Sequence, residues 1–164
     1  MGQIFRSRTF YRAAGIIFLI KLLWLLLACP LYDLDTNSFI RGGFTWDIYH
    51  NPFMNLFIAG LGKVWANAWF IVSVQCLGFA FCGAFLLEAW FGGARKHHIG
   101  YWIALAVIIL EPLTTFYNFS LLAESFFTGF TFLAIGSAIL WLRQPSLRIA
   151  LFFGLAIGLT FSAS

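Results

Sequence analysis

The chain alternates long apolar segments with short polar ones, and the apolar segments determine the predicted fold. The segments that we predict as membrane spans cover residues 13–32, 65–91, 99–119, 120–142 and 149–161. The first, of roughly 20 residues, extends about 30 Å as an α-helix, which matches the hydrocarbon core of a bilayer. Pro112, inside the third segment, is expected to kink or end that helix.

The apolar segments are continuous and do not alternate with a period of two, which argues against the strands of a β-barrel. Hydrophobic residues make up 62% of the 164 residues, charged residues only 10%, and the mean hydropathy is +0.89. A soluble domain is roughly half apolar and a quarter charged. We therefore predict an all-α fold, a polytopic transmembrane helix bundle of about five spans.

Two apolar segments are short. Residues 52–64 cannot cross a bilayer, and we expect a re-entrant or interfacial helix there, in the first outer loop. The last segment ends in the polar sequence FSAS after only about fifteen residues. We expect residues 1–164 to form a single transmembrane domain that is the N-terminal part of a longer module.

Basic residues predict the orientation. With the N-terminus in the cytoplasm, seven of the ten cations lie in cytoplasmic segments: Arg6, Arg8, Arg12, Arg95, Lys96, Arg143 and Arg148. This distribution satisfies the positive-inside rule. Topology thus accounts for the net charge of +4, and we expect no nucleic-acid partner because no basic face follows a phosphate backbone.

Acidic residues show the opposite asymmetry. Five of the six fall on the outer side: Asp33, Asp35, Asp47, Glu111 and Glu124. Because acids contribute little to topology, their clustering indicates a site that faces the outer side. The sixth, Glu88, lies in the cytoplasmic half with Lys21, and the two are candidates for a structural ion pair between the first two spans.

Asp33-Leu34-Asp35 directly follows the first span. A carboxylate at the end of a membrane helix lies where the dielectric constant begins to fall, and one of the two acids is a candidate general base. The alternative is that both are solvated loop acids, with Asp35 and the polar residues after it capping the next short helix. The residues alone leave both interpretations open.

Three further candidates lie on the outer side. His50-Asn51-Pro52 is either an ordinary helix start or a contact for a phosphate or sugar hydroxyl. Arg41 and Lys63 are suited to a lipid phosphate, and equally to pairing with loop acids or headgroups. Glu124 is predicted to lie in the first turns of a span, where a carboxylate by default indicates a functional site or a buried pair.

The order of these features resembles the GT-C superfamily of membrane glycosyltransferases, in particular its dolichyl-phosphate-mannose protein mannosyltransferase-like and aminoarabinose transferase-like members. Residues 35–40 (DTNSFI) resemble the family's acidic segment after the first span, and residues 50–64 resemble its His-Pro-Pro segment, with Phe53 in place of the second proline. Residues 111–127 resemble a later motif: Glu111-Pro112 stands where the family has Asn-Pro, followed by the aromatic Tyr117 and by Glu124.

The resemblance implies a glycosyltransferase that moves a sugar from a polyprenyl-phosphate donor in the outer leaflet to an acceptor hydroxyl. Asp35 would be the base, with Asp33 as its competitor. The substrate-binding candidates are Arg41, His50, Lys63, Glu111, Tyr117 and Glu124. No cofactor is required by this chemistry, although the two aspartates suit Mg²⁺ or Mn²⁺ and a divalent cation stays an alternative. Besides the donor, the expected partners are membrane lipid and further membrane subunits. Residues 1–164 alone are expected to be inactive, because a missing C-terminal half of the module would leave the donor groove open unless partner chains complete it.

Two other functions compete with this one. A transporter or flippase subunit for lipid-linked sugars would also place acids and cations at the outer face, but should have polar groups at mid-membrane depth. A scaffold subunit without a ligand is the third. The middles of spans two to four hold few ionisable residues, which favours a site at the membrane surface.

Overall fold

The computed structural model describes residues 4–28, 30, 52–92, 99–110 and 124–162, with side chains for all of these except 52–55. Within them the chain forms six α-helices and no β-strand. The helices are α1 (Arg8–Ala28), α2 (Pro52–Val64), α3 (Ala68–Phe91), α4 (Ile99–Leu110), α5 (Glu124–Arg143) and α6 (Leu147–Ser162). The predicted fold class, an all-α membrane bundle, is confirmed.

Three of these helices, α1, α3 and α5, are long and apolar enough to cross a membrane. The other three are shorter, and α2, with 13 residues, extends only about 20 Å, against roughly 30 Å for a hydrocarbon core. The short helix predicted at residues 52–64 is therefore confirmed with the same bounds. The third predicted span appears as α4, and its continuation beyond Leu110 lies outside the described residues.

Helix α3 lies at the centre of the bundle. It is apolar on all sides, as expected of a helix surrounded by other helices. It contacts α1, α2, α4 and α5, and α6 packs against α5, with its Phe152 ring next to Phe85 of α3. Side chains on the outer faces of α1 and α6, such as Leu27 and Phe161, are mostly exposed, which suits contact with lipid.

Contacts along α3 fix the directions of its neighbours. Phe10 near the start of α1 lies against Phe81 in the second half of α3, so these two helices are antiparallel. Cys82 is the neighbour of Gly129 early in α5, whereas the Ala89 carbonyl accepts a hydrogen bond from Arg143 at the end of α5. Helices α3 and α5 therefore run parallel.

The bundle consequently has two chemically different ends. At the basic end α1, α4 and α6 begin and α3 and α5 finish, and five described arginines lie there: Arg6, Arg8, Arg12, Arg143 and Arg148. At the opposite end α1 and α4 finish and α3 and α5 begin. The separation of helix ends agrees with the alternation of spans predicted from the sequence.

Local polar contacts explain why some helices begin at other residues than predicted. The side chain of Asn67 accepts a hydrogen bond from the Trp69 amide at 2.8 Å, so α3 begins at Ala68 rather than at residue 65. At the other end of α3, Gly92 adopts a left-handed φ of 58° and donates its N–H to the Glu88 carbonyl. Glycine adopts this conformation without a steric penalty.

Candidate functional site

An apolar cluster fixes α2 at the opposite end of the bundle. Its buried members are Leu25 of α1, Ile58 of α2 and Ile71, Val72 and Cys76 of α3. The rings of Phe57 in α2 and Phe126 in α5 also meet edge to face, with centroids 4.5 Å apart. Helix α2 thus lies against the end of α1 and the beginnings of α3 and α5.

Lys63 is the basic residue in the last turn of α2. Its side chain is exposed, and a cation in this position interacts favourably with the negative end of the helix dipole. The hydrophobic cluster therefore anchors the helix that carries this exposed lysine. This arrangement is compatible with the predicted role of Lys63 in binding an anionic group.

Glu124 is the first residue of α5 and is exposed. Its backbone carbonyl accepts a hydrogen bond from the Thr128 hydroxyl at 2.9 Å, within the first turns of the helix. A negative charge in the first turn is favoured by the helix dipole. The carboxylate is accordingly at the margin of the apolar segment and accessible from outside the bundle.

The structure brings the helices that carry Lys63 and Glu124 to the same end, in contact through Phe57 and Phe126. The other predicted site residues lie outside the described residues: Asp33, Asp35, Arg41, His50, Glu111 and Tyr117. Residues 31–51 connect the end of α1 to the start of α2, and residues 111–123 connect the end of α4 to the start of α5. Both connections therefore join helices at the opposite end of the bundle.

The described part of the chain contains no group of three or more His, Cys, Asp or Glu side chains that could hold a metal ion. Asp33 and Asp35, the two carboxylates proposed as divalent-cation ligands, are outside that part. The cation alternative thus stays a prediction.

Polar side chains are also buried in the interior of the bundle. Lys21, Gln75 and Glu88 are at most 1% exposed, and the Lys21 ammonium lies 5.5 Å from the centroid of the Phe79 ring. The sequence pattern identified Lys21 and Glu88 as a candidate pair, which stays a prediction. The sequence pattern did not identify Gln75, although an amide side chain within the apolar α3 can be recognised in the sequence as a candidate buried polar residue.

Arg143 was interpreted only as a topology signal, but the structure gives it a defined contact. Its guanidinium donates hydrogen bonds to the Ala89 carbonyl at 2.8 Å and the Trp90 carbonyl at 2.7 Å. These carbonyls belong to the last turn of α3, which has no basic residue of its own. Arg143 therefore caps α3 from the end of α5.

The fold and the long apolar helices define the class: a multi-pass helical membrane protein. In comparisons with known proteins, no family model matches the chain, and no curated protein or solved structure shows significant similarity.

Proposed function

We propose that this chain forms the membrane part of a glycosyltransferase that uses a polyprenyl-phosphate-linked sugar as donor. The observation that carries the proposal is the short helix α2, which opens at Pro52 of the His50-Asn51-Pro52 motif and lies at the same end as the first turn of α5 with Glu124. The resemblance to GT-C enzymes links a short helix with such a motif to an acid after the first span and a later acid at a span start.

Transfer would proceed by direct displacement. Asp35 takes the proton from the acceptor hydroxyl, whose oxygen forms a bond to the anomeric carbon as the bond to the phosphate oxygen breaks. The polyprenyl phosphate leaves as a stable anion, so the reaction needs no acid to protonate it. One base and cationic stabilisation therefore suffice, in contrast to the carboxylate pair of a glycosidase.

Two of the described residues would contribute to this site. Lys63 provides a positive charge close to the bundle, which would bind the donor phosphate together with Arg41. Glu124 provides an accessible carboxylate that would orient the sugar or the loop. Asp33 is the competing base, and Asp33 and Asp35 together are the candidate ligands for Mg²⁺ or Mn²⁺.

The positive-inside rule supports placing the basic end in the cytoplasm. The opposite end, with α2 and the start of α5, would then face the periplasm or lumen, and the donor would lie in the outer leaflet. The proposed acceptor would approach from the aqueous side of the same face.

The test is sugar transfer in membranes from a labelled polyprenyl-phosphate donor, comparing wild type with Asp35→Asn and Asp47→Asn at matched expression. Both aspartates belong to the segment between α1 and α2, but the proposal gives a role only to Asp35. We expect Asp35→Asn to reduce transfer by at least the roughly 10²-fold that general-base catalysis contributes, and Asp47→Asn to leave it near wild type. Equal transfer by wild type and Asp35→Asn would refute the assignment of the base.

A transporter or flippase subunit is the second candidate, because polar residues such as Lys21 and Gln75 within apolar helices signal either a transport pathway or a structural contact. If the chain moves lipid-linked sugars, Gln75→Leu should reduce translocation of a labelled lipid-linked sugar between vesicle leaflets. A glycosyltransferase without transport activity would show no translocation in wild type either.

A further inference from the structure

An apolar groove lies on the side of the bundle, away from the candidate site. It is formed by the last turns of α3, the middle of α4 and the middle of α5, and it has a volume of 430 Å³. This volume falls within the range of roughly 300–1,000 Å³ that is typical of pockets for small molecules. Its lining is almost entirely apolar and includes Trp90, Ala104, Val107 and Ile135.

The groove is open towards the surroundings of the bundle. The exposed fractions of Trp90 and Val107 on its rim are 57% and 58%, and that of Ile135 is 44%. Its floor is buried, with Leu87 only 2% exposed. A bilayer would bring hydrocarbon chains directly to this rim, whereas an apolar groove has no polar groups to hold water.

A positive charge lies at one end of the groove. Arg143 donates a hydrogen bond to the carbonyl of Trp90, whose side chain lines the groove, and the guanidinium side chain is exposed. The two hydrogen bonds to Ala89 and Trp90 use two of the five N–H donors of a guanidinium. The other three N–H donors of a guanidinium can hydrogen-bond a phosphate group.

The dimensions of the groove fit one leaflet. Ile135 precedes Arg143 by eight residues, so it lies about 12 Å from Arg143 along the axis of α5. Half of a hydrocarbon core is about 15 Å. Trp90 lies near the end of α3, in keeping with the preference of tryptophan for the membrane interface.

We propose that this groove binds an anionic phospholipid, with an acyl chain between α4 and α5 and the phosphate at Arg143. The assignment rests on the combination of an apolar groove open to lipid with a guanidinium at its basic end. The site is independent of the proposed glycosyl transfer, which concerns the opposite end of the bundle.

The test uses the tryptophan that lines the groove. The full chain is reconstituted in phosphatidylcholine vesicles that contain a minor fraction of either brominated phosphatidylglycerol or brominated phosphatidylcholine, because bromine quenches tryptophan fluorescence on contact. The contribution of Trp90 is the difference between the wild type and Trp90→Phe. Trp102 is a matched control: it is 52% exposed on α4 and does not line the groove, and its contribution follows from Trp102→Phe.

At Trp90 we expect phosphatidylglycerol to bind about fivefold more tightly than phosphatidylcholine, the factor that about 1 kcal/mol from one cation near an anionic lipid surface provides. At Trp102 we expect no such preference. Arg143→Gln should abolish the preference, and Arg143→Lys should retain most of it. Ala104→Phe, which fills the groove and leaves the Arg143 cap intact, should abolish the preference at Trp90.

Four results would overturn the proposal. Equal quenching of Trp90 by the two lipids would mean that the groove holds bulk lipid without a headgroup site. Absence of quenching by either lipid would mean that a protein segment or a second copy of the chain covers the groove. A preference that persists in a folded Arg143→Gln variant would show that Arg143 does not bind the phosphate. A preference that persists in Ala104→Phe would show that the lipid does not occupy the groove.

Discussion

Replacing Gly136 with alanine would insert a methyl group at a close approach of α5 to α3. A Cβ atom built on Gly136 would lie 2.9 Å from Cδ1 and Cε1 of the Phe85 ring and 3.4 Å from the Leu86 Cα atom. Real Cβ atoms essentially never approach other atoms to 2.9 Å. Phe85 is only 1% exposed and also contacts the rings of Phe5 and Phe152, so it has little space into which it can move.

The matched control is Gly129→Ala, on the same helix and against the same neighbour. Its nearest contact would be the Cys82 Sγ atom at 3.5 Å, which is an ordinary van der Waals distance. Both substitutions gain the same helix propensity, about 0.5–1 kcal/mol, so this gain cancels between the two variants. The remaining difference is the cost of overpacking, and we expect Gly136→Ala to be less stable than Gly129→Ala by about 1–3 kcal/mol.

The assay is reversible unfolding in mixed micelles of a mild detergent and dodecyl sulfate, followed by circular dichroism. A second substitution, Phe85→Leu, tests the mechanism, because a smaller side chain should relieve the clash. The cost of Gly136→Ala should then be smaller in the Phe85→Leu background by about 1 kcal/mol. Equal stability of the two glycine variants, or additive effects with Phe85→Leu, would refute the proposed close packing of α3 and α5.

The remaining predictions concern the cap of α3, the buried lysine and the candidate site. Asn67→Ala should reduce the free energy of unfolding by about 1 kcal/mol in the same assay because α3 loses its N-cap, and an unchanged value would contradict that role. Lys21→Met should lower the free energy of unfolding by about 2 kcal/mol, because it removes the cation–π contact with the Phe79 ring, which is strong where water is excluded. Unaltered expression and stability would show that Lys21 is not a structural residue. Lys63→Gln and Glu124→Gln should reduce sugar transfer while leaving the thermal midpoint within about 2 °C of wild type, because both side chains are exposed; a large loss of stability would assign them a structural role.

The apolar pattern predicted the number and order of the described helices because each apolar segment must form a helix in lipid. Segment length alone identified α2. Helix starts were predicted less well, because hydropathy does not register capping. The apolar run includes Trp65 and Ala66, so hydropathy places the start of the helix at residue 65. The side chain of Asn67 caps α3, and the helix therefore begins only at Ala68. Arginines such as Arg8 and Arg12 interrupt the apolar pattern without interrupting α1, since arginine is a good helix former.

The hydrophobic pattern could not predict which residues of different helices contact each other. Gly154 and Gly158 have the spacing of a close-packing motif, yet a Cβ at either position would meet no atom within 4 Å among the described residues. The close approach is instead at Gly136, which no spacing rule identified. The double hydrogen bond from Arg143 joins residues more than 50 positions apart and depends on the parallel arrangement of α3 and α5.

For the candidate site, the sequence indicated Lys63 and Glu124, and the structure adds that their helices meet through Phe57 and Phe126. That contact could not be read from the sequence because phenylalanine is frequent in every span. The roles of Asp35 and its neighbours in the first loop depend on side-chain positions that neither hydropathy nor helix packing determines.

The most direct test of the proposed function is the stereochemistry of the transfer product. Vesicles containing the chain are incubated with a labelled polyprenyl-phosphate sugar of known anomeric configuration and a membrane extract as the source of acceptors, and the glycosidic linkage of the product is determined by nuclear magnetic resonance. Direct displacement with one base predicts a product whose anomeric configuration is inverted relative to the donor. A product with retained configuration would contradict the mechanism. The absence of transfer from any of several donors by the folded protein in its longest reading frame would contradict the glycosyltransferase proposal itself.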